Sequence, residues 1–227
     1  MYKDYTVLIR KLTDVDLMRE ACESTFLGKS GQSLLSIYKS EHSPARTQLF
    51  WVKIKNVKLY ISTHLLRHHV GSQPFALTMR DDRHGGKDQC PAIADSLARL
   101  VEIPVGDRTA EDEYELYSLI DELHNRAGRN ARTNLSLLLN AQSLIDMAKV
   151  RLCFQASSET REVFAEIKRK VAEVDQSLAK MIVPKCVYRN GLCGEPNCCG
   201  FNSTSAFKEE LSNYLSNFTD KQKGIKQ

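Results

Sequence analysis

The chain has 227 residues, 42% of them hydrophobic and 26% charged, the proportions of an ordinary globular domain. Its formal charge of +4 is too mild to require a nucleic-acid partner, and no apolar run approaches the roughly 18 residues of a membrane span. The start MYKDYTVLIRKL is charged and lacks an apolar signal region, and the seven cysteines are odd in number, so a cytoplasmic location with no disulfide framework is expected.

TDVDLMREACEST opens with Thr13 and, three residues on, Asp16, a capping signature. Leu17, Met18, Ala21 and Cys22 then share one helical face. QLFWVKIK alternates, with Phe50, Val52 and Ile54 opposite Lys53 and Lys55, and reads as a strand. In NVKLYISTHLLRHH the apolar residues at 57, 61 and 65 keep a helical spacing that carries Arg67 and His68 to a helix end. DDRHGGKDQCP reads as a polar loop. LARLVEIPV predicts a helix end followed by a strand, and AEDEYELYSLIDELHNRA an acidic amphipathic helix. Residues 134–182 read as one long helical region, bent near QASSETRE. In its second half Val163, Ile167, Val171, Val174, Leu178 and Met181 mark a core or subunit face. The chain beyond 203 is polar and expected to be loosely ordered. No repeat or linker interrupts the pattern, so one helix-rich α/β domain is predicted.

LLRHHVGSQPFALTMRDDR carries Arg67, His68, His69, Arg80 and Arg83, with Asp81 and Asp82 between the last two. His68 and His69 are adjacent, so on a helix their side chains diverge and chelate a metal poorly. Ser72 lacks the turn motif of a serine nucleophile. Arginines with a histidine at a helix end suit a phosphate, and a solvated loop of ion pairs is the bland alternative. A second cluster, NAQSLIDMAKVRLCFQASSETRE, holds Asn140, Gln142, Ser143, Asp146, Arg151 and Arg161. Arg151 lies between Val150 and Leu152, which predicts half-burial and a need for an anionic partner. That partner is a ligand or a carboxylate such as Glu159 or Glu162. KCVYRNGLCGEPNCCG gathers Cys186, Cys193, Cys198 and Cys199, but its C-x6-C and C-x4-C-C spacings are not a standard zinc pair. A compact turn with reduced thiols is expected there. A zinc-stabilised nucleic-acid-binding module is the alternative from a different functional class.

These blocks together resemble the flavin-dependent thymidylate synthases. EHSPARTQLFWVKIKNVKLYISTHLLRHHVGS looks like the family block that runs from an H-x-S-P turn to an R-H-R signature. NAQSLIDMAKVRLCFQASSETRE looks like its N-x-R-S-L…L-R…A-Q-x-E-I-R block, and VPKCVYRNGLCGE is similar to the P-K-C…G-Y-C-P-E ending. The RHHV variant looks most like divergent phage-type versions. The resemblance implies an α/β (α+β) fold with a central mixed sheet flanked by long helices. It implies a family domain over 1–203, including the Cys-rich turn 186–199, and a polar tail over 204–227. It further implies a homotetramer with active sites between subunits, FAD, NADPH as reductant, methylenetetrahydrofolate as one-carbon donor and dUMP as substrate, with no membrane, nucleic-acid or metal partner.

Residue by residue, the resemblance assigns Arg67, His68, His69 (in place of the final Arg), Ser72, His42, Asn140 and Asp146 to the flavin. It assigns His64, Thr78, Arg80 and Arg151 to the nucleotide, Arg151 also to catalysis, and a further phosphate arginine to one of Arg126, Arg129 or Arg132. An Arg directed at a pyrimidine carbonyl would stabilise charge developing on the ring. The Glu of the family's N-E-x-S-x-R-Y motif has no counterpart here, and His64 replaces a Gln. These departures keep a second chemistry open: hydroxymethylation of a deoxypyrimidine monophosphate, dUMP or dCMP, with the same folate carbon and no final reduction.

Overall fold

A computed structural model describes residues 5–25, 31–77, 90–126 and 131–219. Four strands, β1 (Thr6–Lys11), β2 (Leu49–Lys58), β3 (Ser72–Ala76) and β4 (Arg132–Asn140), form one sheet in the order β1-β2-β4-β3. Every described pairing is antiparallel, so the sheet expected to be mixed is antiparallel throughout these strands. The helices are α1 (Val15–Thr25), α2 (Leu34–Ser40), α3 (Leu59–Leu66), α4 (Cys90–Val101), α5 (Ala110–Arg126), α6 (Ala141–Arg151), α7 (Ser158–Val174), α8 (Gln176–Ala179), α9 (Lys185–Tyr188) and α10 (Ser205–Thr219). None of them is long and apolar enough to cross a membrane. The α/β class stands.

The sheet has one packed face. Phe50, Val52 and Ile54 of β2 and Leu135, Leu137 and Leu139 of β4 are all fully buried, while Lys53 and Lys55 on the other face are exposed. Alternation of this kind is what a half-buried antiparallel sheet requires. Val163, Phe164, Ile167 and Val171 of α7 join the same core, together with Leu144, Ile145 and Met147 of α6. Val174, predicted on that face, is instead exposed at the end of α7. Asp175, next in sequence and buried, accepts from Lys11 Nζ and from Tyr38 OH, each at 2.7 Å, and so ties α7 to β1 and α2. Burial and the Asp175 carboxylate raise the Tyr38 hydroxyl well above its ordinary value.

Several expectations change. Residues 132–140 are a strand, not the start of a long helix. Thr133, Leu135, Leu137 and Leu139 point inward at period two, and Leu138 masks that pattern in the sequence. Asn140 ends the strand and caps α6 directly. Val57 lies in β2 rather than in α3, after a register shift at which Asn56 takes φ 57° and its N–H donates to Asn134 Oδ1 at 3.0 Å. The helix start at α1 is capped by Asp14, whose Oδ1 accepts from Leu17 N–H at 3.0 Å. Thr13 instead bonds the Thr47 carbonyl and the Leu49 amide. After α4 the chain forms a 3-10 turn at Val105–Asp107 rather than a strand. The tail expected to be loose forms α10, which places Phe207 and Tyr214 in the core.

Candidate active site

The strand β2 passes into α3 without a loop, and α3 ends beside Arg67. The following turn is pinned to the start of α6. Ser143 Oγ donates to the Val70 carbonyl at 2.6 Å, and the Asn140 amide donates to the Gly71 carbonyl at 3.1 Å. Gly71 has φ 65°, and a Cβ there would stand 2.2 Å from Asn140 Nδ2 and 2.4 Å from Ser143 Oγ. Glycine is therefore required both for the backbone angle and for the close approach. Asn140 Oδ1 accepts from Ser143 N–H at 2.9 Å, the cap of α6.

This docking joins two distant parts of the sequence. Arg151, the last residue of α6, donates from Nε to His68 Nε2 at 2.9 Å. An imidazole nitrogen that accepts is unprotonated, so His68 is neutral with its proton on Nδ1. Burial, then the charges of Arg151 and His69, push His68 down to about 4. Burial and the neighbouring Arg67 also lower Arg151, which stays charged. Half-buried Arg151 thus meets exposed Arg67 and His69 around a neutral His68, an arrangement suited to an anion or a polarised carbonyl. Glu159, one of the two acids weighed as a partner for Arg151, is taken by Lys58 at 3.1 Å and by the Tyr60 hydroxyl. Arg161 donates to the Phe154 and Ala156 carbonyls and lies over the Phe154 ring, closing the α6–α7 turn.

The remaining expected residues divide. His64, one turn before Arg67, bonds Thr160 Oγ1 through Nδ1 at 3.1 Å and so fastens α3 to the start of α7. The Ser72 hydroxyl is buried and has no hydrogen-bond partner, and neither does Gln142 Oε1. Such orphaned groups are rare and are explained by a ligand or by water. Asp146 accepts from Gln142 and from Lys149, and Lys149 also reaches Glu41 at 3.0 Å. Burial opposes the charged forms of Glu41 and Lys149. Their mutual bonds, with those of Tyr188 and Gln142 to Glu41, nonetheless lower Glu41 and raise Lys149. His42 is exposed and borders a cleft of about 330 Å³ with Thr25, Ile37 and Ser40. Arg132 donates to the Asn56 carbonyl at 3.3 Å. Thr78, Arg80, Asp81, Asp82, Arg83 and Arg129, and the side chain of Arg126, lie outside the described residues.

Reading the sequence missed Gly71, Glu41 and Lys149 as parts of this framework. The one available signal was the glycine directly after the RHHV run; the Glu41–Lys149 pair spans 108 residues and has no local trace.

No protein-family model and no curated protein sequence matches this chain. Solved structures do. The thymidylate synthase X of Helicobacter pylori with FAD and dUMP is 16% identical at a TM-score of 0.53, over 77% of this chain and 96% of that one. A second structure of the Helicobacter pylori flavin-dependent thymidylate synthase, also complexed with FAD and dUMP, gives a TM-score of 0.55 at 14% identity, over 78% and 99%. A UMP/dUMP methylase from Streptomyces cacaoi, bound with 5-Br dUMP, gives 0.51 at 14% identity, over 79% and 95%. The chain therefore has the fold of the flavin-dependent thymidylate synthases, a fold that this UMP/dUMP methylase shares.

Proposed function

We propose that this protein methylates dUMP to dTMP as a cytoplasmic homotetramer, with FAD, NADPH and methylenetetrahydrofolate. The observation that carries the reading is the meeting of Arg67 and His68 with Arg151. They come from two separate family-like sequence blocks, and the Arg151–His68 bond spans 83 residues. The likeness of fold to enzymes solved with FAD and dUMP supports the same reading.

The residues present fit a flavin dinucleotide. Arg67, exposed at the end of α3, supplies a cation for a diphosphate, and the partnerless Ser72 hydroxyl at the start of β3 supplies a donor. His68, neutral at physiological pH, offers Nδ1–H to a carbonyl or ring nitrogen. When bound, FAD supplies the hydride chemistry, and the protein supplies orientation and charge. Asn140 and Asp146 act through α6, the first by capping it and the second through its bonds to Gln142 and Lys149. The Nε bond to His68 fixes the plane of the Arg151 guanidinium. Its two terminal nitrogens remain as a fork for a pyrimidine carbonyl, where they stabilise negative charge on the ring. Thr78, Arg80 and Arg129 complete the nucleotide grip on this reading, with His64 near the base.

The test is the absorbance spectrum of the pure protein, then the mass of the nucleotide recovered after incubation with NADPH, methylenetetrahydrofolate and dUMP. A flavin spectrum and a methylated product are expected. Arg151→Ala is expected to retain flavin and weaken dUMP binding at least about tenfold. Unmodified dUMP together with a colourless protein overturns the proposal, and a hydroxymethylated product replaces methylation with the second chemistry.

A further inference from the structure

Two surfaces of this chain stand uncovered, and they are opposite in charge. The first is the outer face of the sheet. Residues paired directly across antiparallel strands share a face. The register therefore sets Arg10, Trp51, Leu138 and Gln73 in one row and Leu8, Lys53, Ser136 and Phe75 in the next, with Thr6 beside Lys55 at the end. These rows hold the cations Arg10, Lys53 and Lys55 and no acid. They also leave apolar side chains to solvent: Phe75 is 52% and Leu8 47% exposed, and Trp51 packs on Phe75. A cleft of about 530 Å³ opens there, lined by Leu8, Arg10, Trp51 and Lys53 with Lys170 and Glu173 of α7.

The second surface is α5. Among the described residues α4 and α5 pack chiefly on each other, and their buried Ile93, Leu100 and Leu116 stand apart from the main core. Tyr114 and Tyr117, three residues apart and so neighbours on the helix surface, are 77% and 70% exposed. Glu111, Glu113 and Glu115 are exposed around them, and Asp112, Asp121 and Glu122 lie on the same helix. This helix is strongly acidic in a chain whose formal charge is +4.

We infer that α5 of one copy of this chain seats Tyr114 and Tyr117 on the outer sheet face of a second copy, with its carboxylates against Arg10, Lys53 and Lys55. Charge complementarity names the occupant. One surface sets acids beside exposed aromatics, and the other sets cations beside exposed aromatic and aliphatic groups. The two do not meet within one chain, because both sets of side chains are exposed in it.

The sizes agree. The 17 residues of α5 span about 25 Å, and the 10 residues of β2 about 33 Å. A four-stranded sheet is about 15 Å across and receives one helix of about 10 Å diameter. A two-fold axis repeats the contact, each copy giving its helix and receiving its partner's. Tyrosine, tryptophan and arginine, which dominate the energy of interfaces, all stand at this one. The inference rests on the homotetramer proposed above and names one of its contacts. It does not depend on the chemistry proposed with it.

Trp51 is the single tryptophan of the chain and lies on the receiving face, so its emission reports the contact. The test measures the assembly mass of the full chain by sedimentation across a dilution series, with Trp51 emission recorded on the same samples. The wild type is expected to assemble, and its emission to shift to the red as dilution separates the copies. Lys53→Glu with Lys55→Glu is expected to raise the concentration of half-dissociation at least about tenfold, and Glu111→Lys with Glu113→Lys to do the same. Combining the two reversals is expected to restore assembly to within about threefold of wild type, which misfolding of either pair could not do. Four results would overturn the inference: a monomeric wild type, dissociation that leaves Trp51 emission unchanged, a charge reversal that leaves half-dissociation unchanged, or a combined variant that does not recover. Flavin and nucleotide product are measured separately. An active tetramer indifferent to the reversals rejects this contact alone, and an assembly that responds as expected but makes no methylated product rejects only the enzymatic proposal.

Discussion

At the scale of single residues, the Arg151–His68 hydrogen bond makes a prediction about pH. The ordinary imidazole value of 6.5 falls to about 4 in the folded protein. Between those values the unfolded chain binds more protons than the native one, so stability rises with pH across that window and levels off above it. Allowing for the partial exposure of His68, the associated loss on acidification is on the order of 1 kcal/mol. Urea unfolding at about pH 4 and about pH 7 should show His68→Gln with a smaller difference between the two than wild type. An identical difference would show that His68 is not held neutral. Half-burial of Arg151 was legible from its apolar neighbours. Its partner was not, because the bond joins residues brought together only by the docking of one helix start on one turn.

At the scale of elements, the glycine of the RHHV turn is the most exacting position. Gly71→Ala both strains a positive φ and drives a methyl into Asn140 and Ser143, and should cost about 2–3 kcal/mol. A melting temperature within about 1 °C of wild type would refute that account. The same comparison shows why β4 was read as helix. RTNLSLLLNAQSLIDMAKV is apolar at period two up to Asn140 and amphipathic afterwards, with only Asn140, the cap of α6, between the halves. A strand that hands directly to a helix leaves a single capping residue as its punctuation, easily passed over beside the contiguous leucines. α1, α5, α7 and β2 up to Ile54 were legible because each keeps one period; beyond Ile54 the register shift in β2 breaks the alternation and gave Val57 to the helix.

At the scale of the whole molecule, α10 closes the core over the cysteine loop. Phe207 meets Phe201 edge-on at 5.8 Å, and Phe201 stacks on Phe154 at 4.2 Å. Phe207→Ala should therefore destabilise by about 3 kcal/mol in denaturant titration. A change below about 0.5 kcal/mol would place α10 outside the cooperative unit. The apolar spacing of Phe207, Leu211 and Tyr214 was present in the sequence but hidden among Ser, Asn and Glu. The outer face of the sheet carries Trp51 against Phe75 at 5.3 Å, with Leu8 and Phe75 about half exposed.

The sequence by itself determined the local periods, the α/β class, the half-buried state of Arg151 and the cysteine-dense ending, because each depends on neighbours within a few residues. The tertiary structure decided the antiparallel order β1-β2-β4-β3, the meeting of Arg67 and His68 with Arg151, the Glu41–Lys149 pair and the convergence of five thiols. Those features depend on which buried faces pack together, and packing is a property of the whole chain.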